Sequence, residues 1–100
     1  MNKHEKPQYK CPVCNFKGLY EPAYDEREIG SDDICPCCGF QFGLDDFGYS
    51  CKQEAHEVWR KKWINDGCNW KYSKTNQPTD WDPKEQLKEI NVFLDDNKKL

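Results

Sequence analysis

Apolar positions along this chain follow two different periods. Up to about residue 49 they come in short bursts such as Phe40-Gln41-Phe42, whose alternation with a polar residue suits a brief strand. From residue 50 the spacing lengthens. In "YSCKQEAHEVWRKKWINDG" Ser50 can act as N-cap with Gln53 at the third helical position, and Gly67 closes the far end. Ala55, Val58, Trp59, Lys62 and Trp63 then share one helical face, the lysine lying along it by its stem. An irregular stretch, "CNWKYSKTNQPT", leads to a second helix at "DWDPKEQLKEINVFLDDN". There Asp82 is the N-cap, Pro83 fits the first helical position and Glu85 completes a capping box. Leu87, Ile90 and Leu94 form its apolar stripe, flanked by Phe93. Neither helix is long enough to stand alone in water, so each must dock on the other or on the aromatic face of the amino-terminal half.

That half carries the chemistry. Cys11 and Cys14, then twenty residues, then Cys35 and Cys38 is the spacing of a four-cysteine zinc site. A two-residue gap lets one tight turn aim two thiolates at one point, and two such turns complete a tetrahedron. The turns match position by position: Cys11-Pro12-Val13-Cys14-Asn15-Phe16-Lys17 against Cys35-Pro36-Cys37-Cys38-Gly39-Phe40-Gln41. Each has proline after its first ligand, and after its second a residue tolerant of positive φ. The surplus Cys37 falls on Val13, the place of a side chain inside the turn. A ligand set using Cys37 is geometrically poorer, because adjacent side chains diverge. Four protein thiolates leave zinc no open position, which makes the metal structural; iron in a rubredoxin-like role fits the same ligand count.

Composition sharpens this picture. Of 100 residues 36% are apolar and 33% charged, so aliphatic packing is thin, while 14 aromatics supply large burial per side chain. A metal contributes the folding energy that such a core lacks. The stretch "MNKHEKPQYK" has no apolar run resembling a signal peptide, and no segment approaches the roughly 20 apolar residues of a membrane helix. The reading is therefore a cytoplasmic chain with reduced thiols and no membrane partner. The net charge of −3 is unevenly spread: residues 1–50 hold 5 Lys/Arg against 9 Asp/Glu, residues 51–100 hold 10 against 9. Between Glu21 and Asp46 eight carboxylates face one base, Arg27. Such a surface repels phosphate.

The segments "YKCPVCNFKGLYEP", "SDDICPCCGFQFG" and "EVWRKKWINDGCNW", over about residues 9–70, resemble the cysteine-rich CPCC family of small bacterial zinc-ribbon-like proteins. The resemblance implies a zinc-ribbon-like core and no assigned reaction. For some members it implies a role as immunity partner of a bacterial toxin.

The expected fold is a small metal-bound α+β domain, a zinc ribbon of short β-hairpins around a four-cysteine site with two C-terminal α-helices. Residues 1–8 form a flexible N-terminus, 9–49 the zinc-ribbon module with Cys11, Cys14, Cys35 and Cys38 on Zn(2+), and 50–100 a helical part packed on the ribbon. The expected function is a non-enzymatic zinc-binding protein-interaction module with a protein partner, in its specific form an immunity-type partner of a cognate toxin. Complementary charge would steer such an acidic protein onto a basic nuclease.

Two alternatives stand beside it. Nucleic-acid binding has only the helix cluster Arg60-Lys61-Lys62 and the loop lysines Lys71 and Lys74 to neutralise phosphates, and three charges on a helix are ordinarily a solvated face. A thiol redox switch would act through Cys37, although acidic surroundings oppose its thiolate. Cys51, His56 and Cys68 are wrongly spaced for a shared helical face and read as ordinary side chains, and His4 carries no weight. No paired acid and base, phosphate-cradling loop or activated nucleophile points to an enzyme. Of Trp59, Trp63, Trp70 and Trp81, three are expected to make the core; an exposed one would be a partner anchor.

Overall fold

The computed structural model describes residues 9–72 and 77–92. The expected flexible N-terminus, His4, Lys74, Phe93 and Leu94 lie outside the described residues.

Each cysteine pair sits on a tight turn closed by the same two backbone bonds. In the first turn Cys11 N–H donates to Phe16 O (2.8 Å) and Asn15 N–H to Cys11 O (2.7 Å). In the second, Cys35 N–H donates to Phe40 O (2.9 Å) and Gly39 N–H to Cys35 O (2.8 Å). Asn15 and Gly39 take up positive φ, 72° and 84°, as the matched sequences require.

Behind each turn the chain pairs antiparallel with itself, through one bridge at Tyr9–Leu19 and another at Ile34–Gln41. A third bridge, Tyr24–Gly30, closes the loop between the turns. These isolated bridges stand where hairpin strands were expected. The pairing stays short because acidic and glycine residues crowd the flanks. Phe40 and Phe42 nevertheless keep the alternation of a strand: both are fully buried, while Gln41 between them is half-buried. Gly30 permits the close approach of the loop to this segment, since a Cβ there would come within 2.5 Å of the backbone of Phe42 and Gly43.

Helix α1 spans Lys52–Asn65. Its N-cap is Cys51 rather than Ser50; the Ser50 hydroxyl reaches Glu54 Oε1 at 2.7 Å, one residue beyond the expected box. Its buried face is also rotated from the expected one. Ala55, His56 and Trp63 are buried and Trp59 half-buried, whereas Val58 and Lys62 face solvent. His56 takes the inward place because Tyr24 supplies its hydrogen bond (2.9 Å) and Phe40 meets its ring edge-on. The helix closes as a Schellman motif: Gly67 N–H donates to Ile64 O (3.0 Å) and Cys68 N–H to Trp63 O (2.9 Å), with Gly67 at φ 104°.

Helix α2 spans Pro83–Lys88, with the Asp82 side chain accepting from Lys84 N–H. Glu85 pairs with Lys88 (3.1 Å). The helix ends by the same motif as α1, with Asn91 at φ 62° in the glycine's place and Val92 N–H donating to Leu87 O (3.0 Å). The helix thus ends before Ile90, the second residue of the expected stripe.

The two helices are not packed against each other; both dock on the cysteine turns. The core is built from the sulfurs outward: Cys11, Cys14, Cys35, Cys37 and Cys38 with Val13, Phe40, Phe42, Trp63 and Leu87. Trp70 bridges the aromatic border, its ring 5.3 Å from both Phe16 and Trp81. Trp63 is fully buried and the other three tryptophans half-buried, so none is the exposed anchor. Among the described residues no helix is long and apolar enough to cross a membrane.

Candidate metal centre

The ligating atoms of Cys11, Cys14, Cys35 and Cys38 all lie within 4.8 Å of one another, and each residue is at most 1% exposed. Cys11 Sγ is 3.9 Å from Cys38 Sγ, and Cys14 Sγ is 3.8 Å from Cys35 Sγ. The close pairs therefore run between the turns, so a cation held here would join the two. All seven cysteines are free thiols. This group could hold a metal ion.

Electrostatics support that capacity. Burial pushes the thiols of Cys14 and Cys38 well above the ordinary cysteine value. Burial opposes the thiolate of Cys35 as well, but hydrogen bonds from Cys11, Cys14 and Cys38 outweigh it and bring Cys35 down. Ionising all four requires a compensating cation.

The surroundings are built to carry negative sulfur. Val13 N–H points at Cys11 Sγ (3.4 Å). Arg60, expected on a solvated face, turns inward: its Nε donates to Val13 O at 2.6 Å and a terminal nitrogen to Pro12 O at 3.1 Å. It satisfies two carbonyls of the first turn that accept no backbone hydrogen bond within it. Trp59 does the same for the second turn, its Nε1 donating to Cys38 O (2.9 Å).

On the α2 side, Gln86 Nε2 donates to Cys14 O (2.9 Å) and Gln86 Oε1 accepts from Trp81 Nε1 (3.1 Å). Buried Asn15 donates in return to Gln86 O (2.8 Å). Arg60, Gln86 and the amide of Asn15 are the supporting residues that sequence reasoning missed. Asn15 was singled out for its backbone alone, and nothing local marks Arg60 or Gln86, whose partners in the first cysteine turn lie more than 45 residues away.

Cys37 stands where the turn alignment puts it. It is fully buried like Val13 and lies outside the four-sulfur group. Gln86 Nε2 lies 3.5 Å from its sulfur, and its backbone O accepts from Lys71 N–H (3.1 Å). Cys51 is exposed at the head of α1, and Cys68 is buried at its foot, its thiol raised by burial and then by the neighbouring Cys37. Neither joins His56 in a metal-ligating group among the described residues. His56 belongs instead to a hydrogen-bonded chain in which the Tyr24 hydroxyl donates to Asp46 and accepts from His56 Nε2. Burial, then the Asp46 carboxylate, raises Tyr24; burial chiefly, with Arg60 and Lys52, lowers His56.

No family model matches the chain, and no solved structure matches it. Two curated proteins of Bacillus subtilis (strain 168) are similar to it, both described as uncharacterized. YoaQ is 34% identical over 70 aligned positions, covering 59% of this chain and 59% of YoaQ. YozI is 32% identical over 84, covering 72% of this chain and 65% of YozI. The chain thus spans less than two thirds of the length of either relative.

Proposed function

We propose that the chain is a zinc-stapled, non-enzymatic protein-interaction module whose metal fixes the shape of a surface rather than performing chemistry. The observation that carries this reading is the convergence of four buried cysteine sulfurs from two matched turns. A zinc–thiolate bond of about 2.3 Å gives a regular tetrahedron sulfur–sulfur edges of about 3.8 Å. The cross-turn separations of 3.9 and 3.8 Å suit that edge. Four protein donors fill zinc's preferred shell and leave no position for water or substrate. Iron would accept the same donors; zinc is favoured because a site of given donors binds divalent zinc more tightly than divalent iron. The two bridged turns support reading the cysteine half as a zinc ribbon reduced to its tips, in keeping with the resemblance to the CPCC family.

The partner surface is acidic. The commitment of Arg60 to backbone carbonyls takes the strongest cation out of the Arg60-Lys61-Lys62 cluster and weakens the nucleic-acid reading. Full burial of Cys37 likewise removes the access that an oxidation switch needs. The specific form of the proposal is an immunity-type complex with a basic toxin, whose phosphate-binding cleft an acidic partner would cover.

Elemental analysis of protein purified from the native cell, combined with affinity capture at low salt, tests both halves. One zinc per chain and one stoichiometric basic partner are expected. Protein lacking zinc would refute the staple, and zinc-loaded protein that captures no partner would refute the interaction role.

A further inference from the structure

The interaction reading leaves open which face meets a partner, and one groove has the required chemistry. It has a volume of about 390 Å³ and runs between the segments that follow the first cysteine turn and precede the second. Leu19 and Pro36 line its base. Around it stand three large apolar side chains left open to solvent: Tyr20 (83% exposed), Tyr72 (64%) and Ile34 (49%). Scattered singly, such residues are unremarkable; gathered about one groove, they form the apolar centre of an interface. Tyrosine is the residue that supplies most contact area for least lost freedom, and it is enriched among binding hot spots.

The backbone under this patch is already fixed. Tyr72 N–H donates to Pro36 O (2.9 Å), Ile34 bridges to Gln41, and Tyr20 follows the Leu19 bridge to Tyr9. Little ordering cost therefore remains to be met on binding. Both flanks hang from the sulfur cluster, since Ile34 precedes Cys35 and Pro36 follows it.

The rim decides the occupant. Asp32 and Asp33 line the groove, and Glu21 closes on Asp33. The hydrogen bond to Asp33, then its charge, raises the Glu21 carboxyl above its ordinary value. Two carboxyl groups held together at the surface repel each other when both are ionised, and an added cation relieves the repulsion. Among the described residues none of the three acids is in an ion pair. A second copy of this chain carries a net charge of −3 overall, and a nucleic acid would bring phosphates.

We propose that the Tyr20–Ile34–Tyr72 groove is the docking site for a basic polypeptide segment, which sets an aliphatic side chain between the tyrosines and a lysine or arginine against Asp33 and Glu21. This rests on the reading of the chain as an interaction module and assigns its face.

The test uses zinc-loaded, isotopically labelled chain and a synthetic peptide of alternating lysine and leucine, with a lysine–serine peptide of equal charge as control. Saturable NMR shifts centred on residues 19–21, 32–36 and 72 are expected. Affinity should fall at least tenfold for the control peptide, for the Tyr20→Ser/Tyr72→Ser chain and for the Glu21→Gln/Asp33→Asn chain. All four substituted positions are at the surface, so unperturbed spectra of the variants report retained fold. Absence of saturable binding, shifts centred elsewhere, equal binding of the control peptide, or affinity unchanged by the variants would each overturn the assignment. Self-association through this face without peptide would do so too. Native capture reads the parent hypothesis separately: a partner held equally by wild type and by Tyr20→Ser/Tyr72→Ser overturns the face and leaves the module standing.

Discussion

Arg60 shows how a surface-seeming residue can be a structural one. Its guanidinium pairs with the carbonyls of Pro12 and Val13, the two residues between the cysteines of the first turn. Arg60→Met keeps much of the stem and removes the donors, leaving two turn carbonyls short of partners. A loss of about 1–3 kcal/mol is expected from that alone, read as a lower urea midpoint of the zinc-loaded protein. Cys37→Val places in the second turn the residue that the first turn already holds. It should keep one metal per chain and change stability by less than about 1.5 kcal/mol, whereas Cys35→Ser should abolish metal binding; elemental analysis and chemical denaturation check both.

His56 carries a pH signature. Burial holds its folded pKa below the ordinary value of 6.5, so on acidification the unfolded chain takes up its proton first. Stability from this group is complete above about 6.5 and is lost as the pH falls toward the depressed value. Thermal midpoints recorded between pH 7.5 and 6 should therefore fall more for wild type than for His56→Gln; parallel curves would contradict the assignment.

At the scale of elements, both helices stop by one device, a residue of positive φ followed by a bond back across the last turn. Gly67→Ala forces a Cβ into φ 104° and should cost about 1–2 kcal/mol, visible as a lower denaturation midpoint with metal content unchanged. Gly67 was legible as a stop. Asn91 was not, because in the sequence Leu94 continues the apolar stripe of Leu87 and Ile90 past it and asparagine signals a helix end only weakly. The rotated face of α1 has a similar origin. Binary patterning counts His56 as polar and Val58 as apolar, and the Tyr24 hydroxyl that makes His56 tolerable inside lies 32 residues earlier. The turns were legible in detail, down to Cys37 overlaying Val13, because their geometry is dictated by four consecutive local positions repeated twice. Strand pairing is a longer-range property, and the acid and glycine content of the flanks holds it to single bridges.

At the scale of the whole molecule, the helices meet neither each other nor a sheet; they meet the cysteine turns. Trp59 and Arg60 fasten α1 to both turns, and Gln86 fastens α2 to the first. Five of the largest fully buried side chains are not cysteine, and they surround a centre of five sulfurs. Burying five uncharged thiols there supplies much less than a metal–thiolate set would, so under the proposed function the shape of every face, including the tyrosine groove, depends on the ion. Near-UV circular dichroism measures this most directly, because Trp59, Trp63, Trp70 and Trp81 border the cysteine turns. A strong chelator under reducing conditions is expected to erase the aromatic signal, and one equivalent of zinc to restore it. An aromatic spectrum unchanged in protein shown by elemental analysis to be free of metal would contradict the staple.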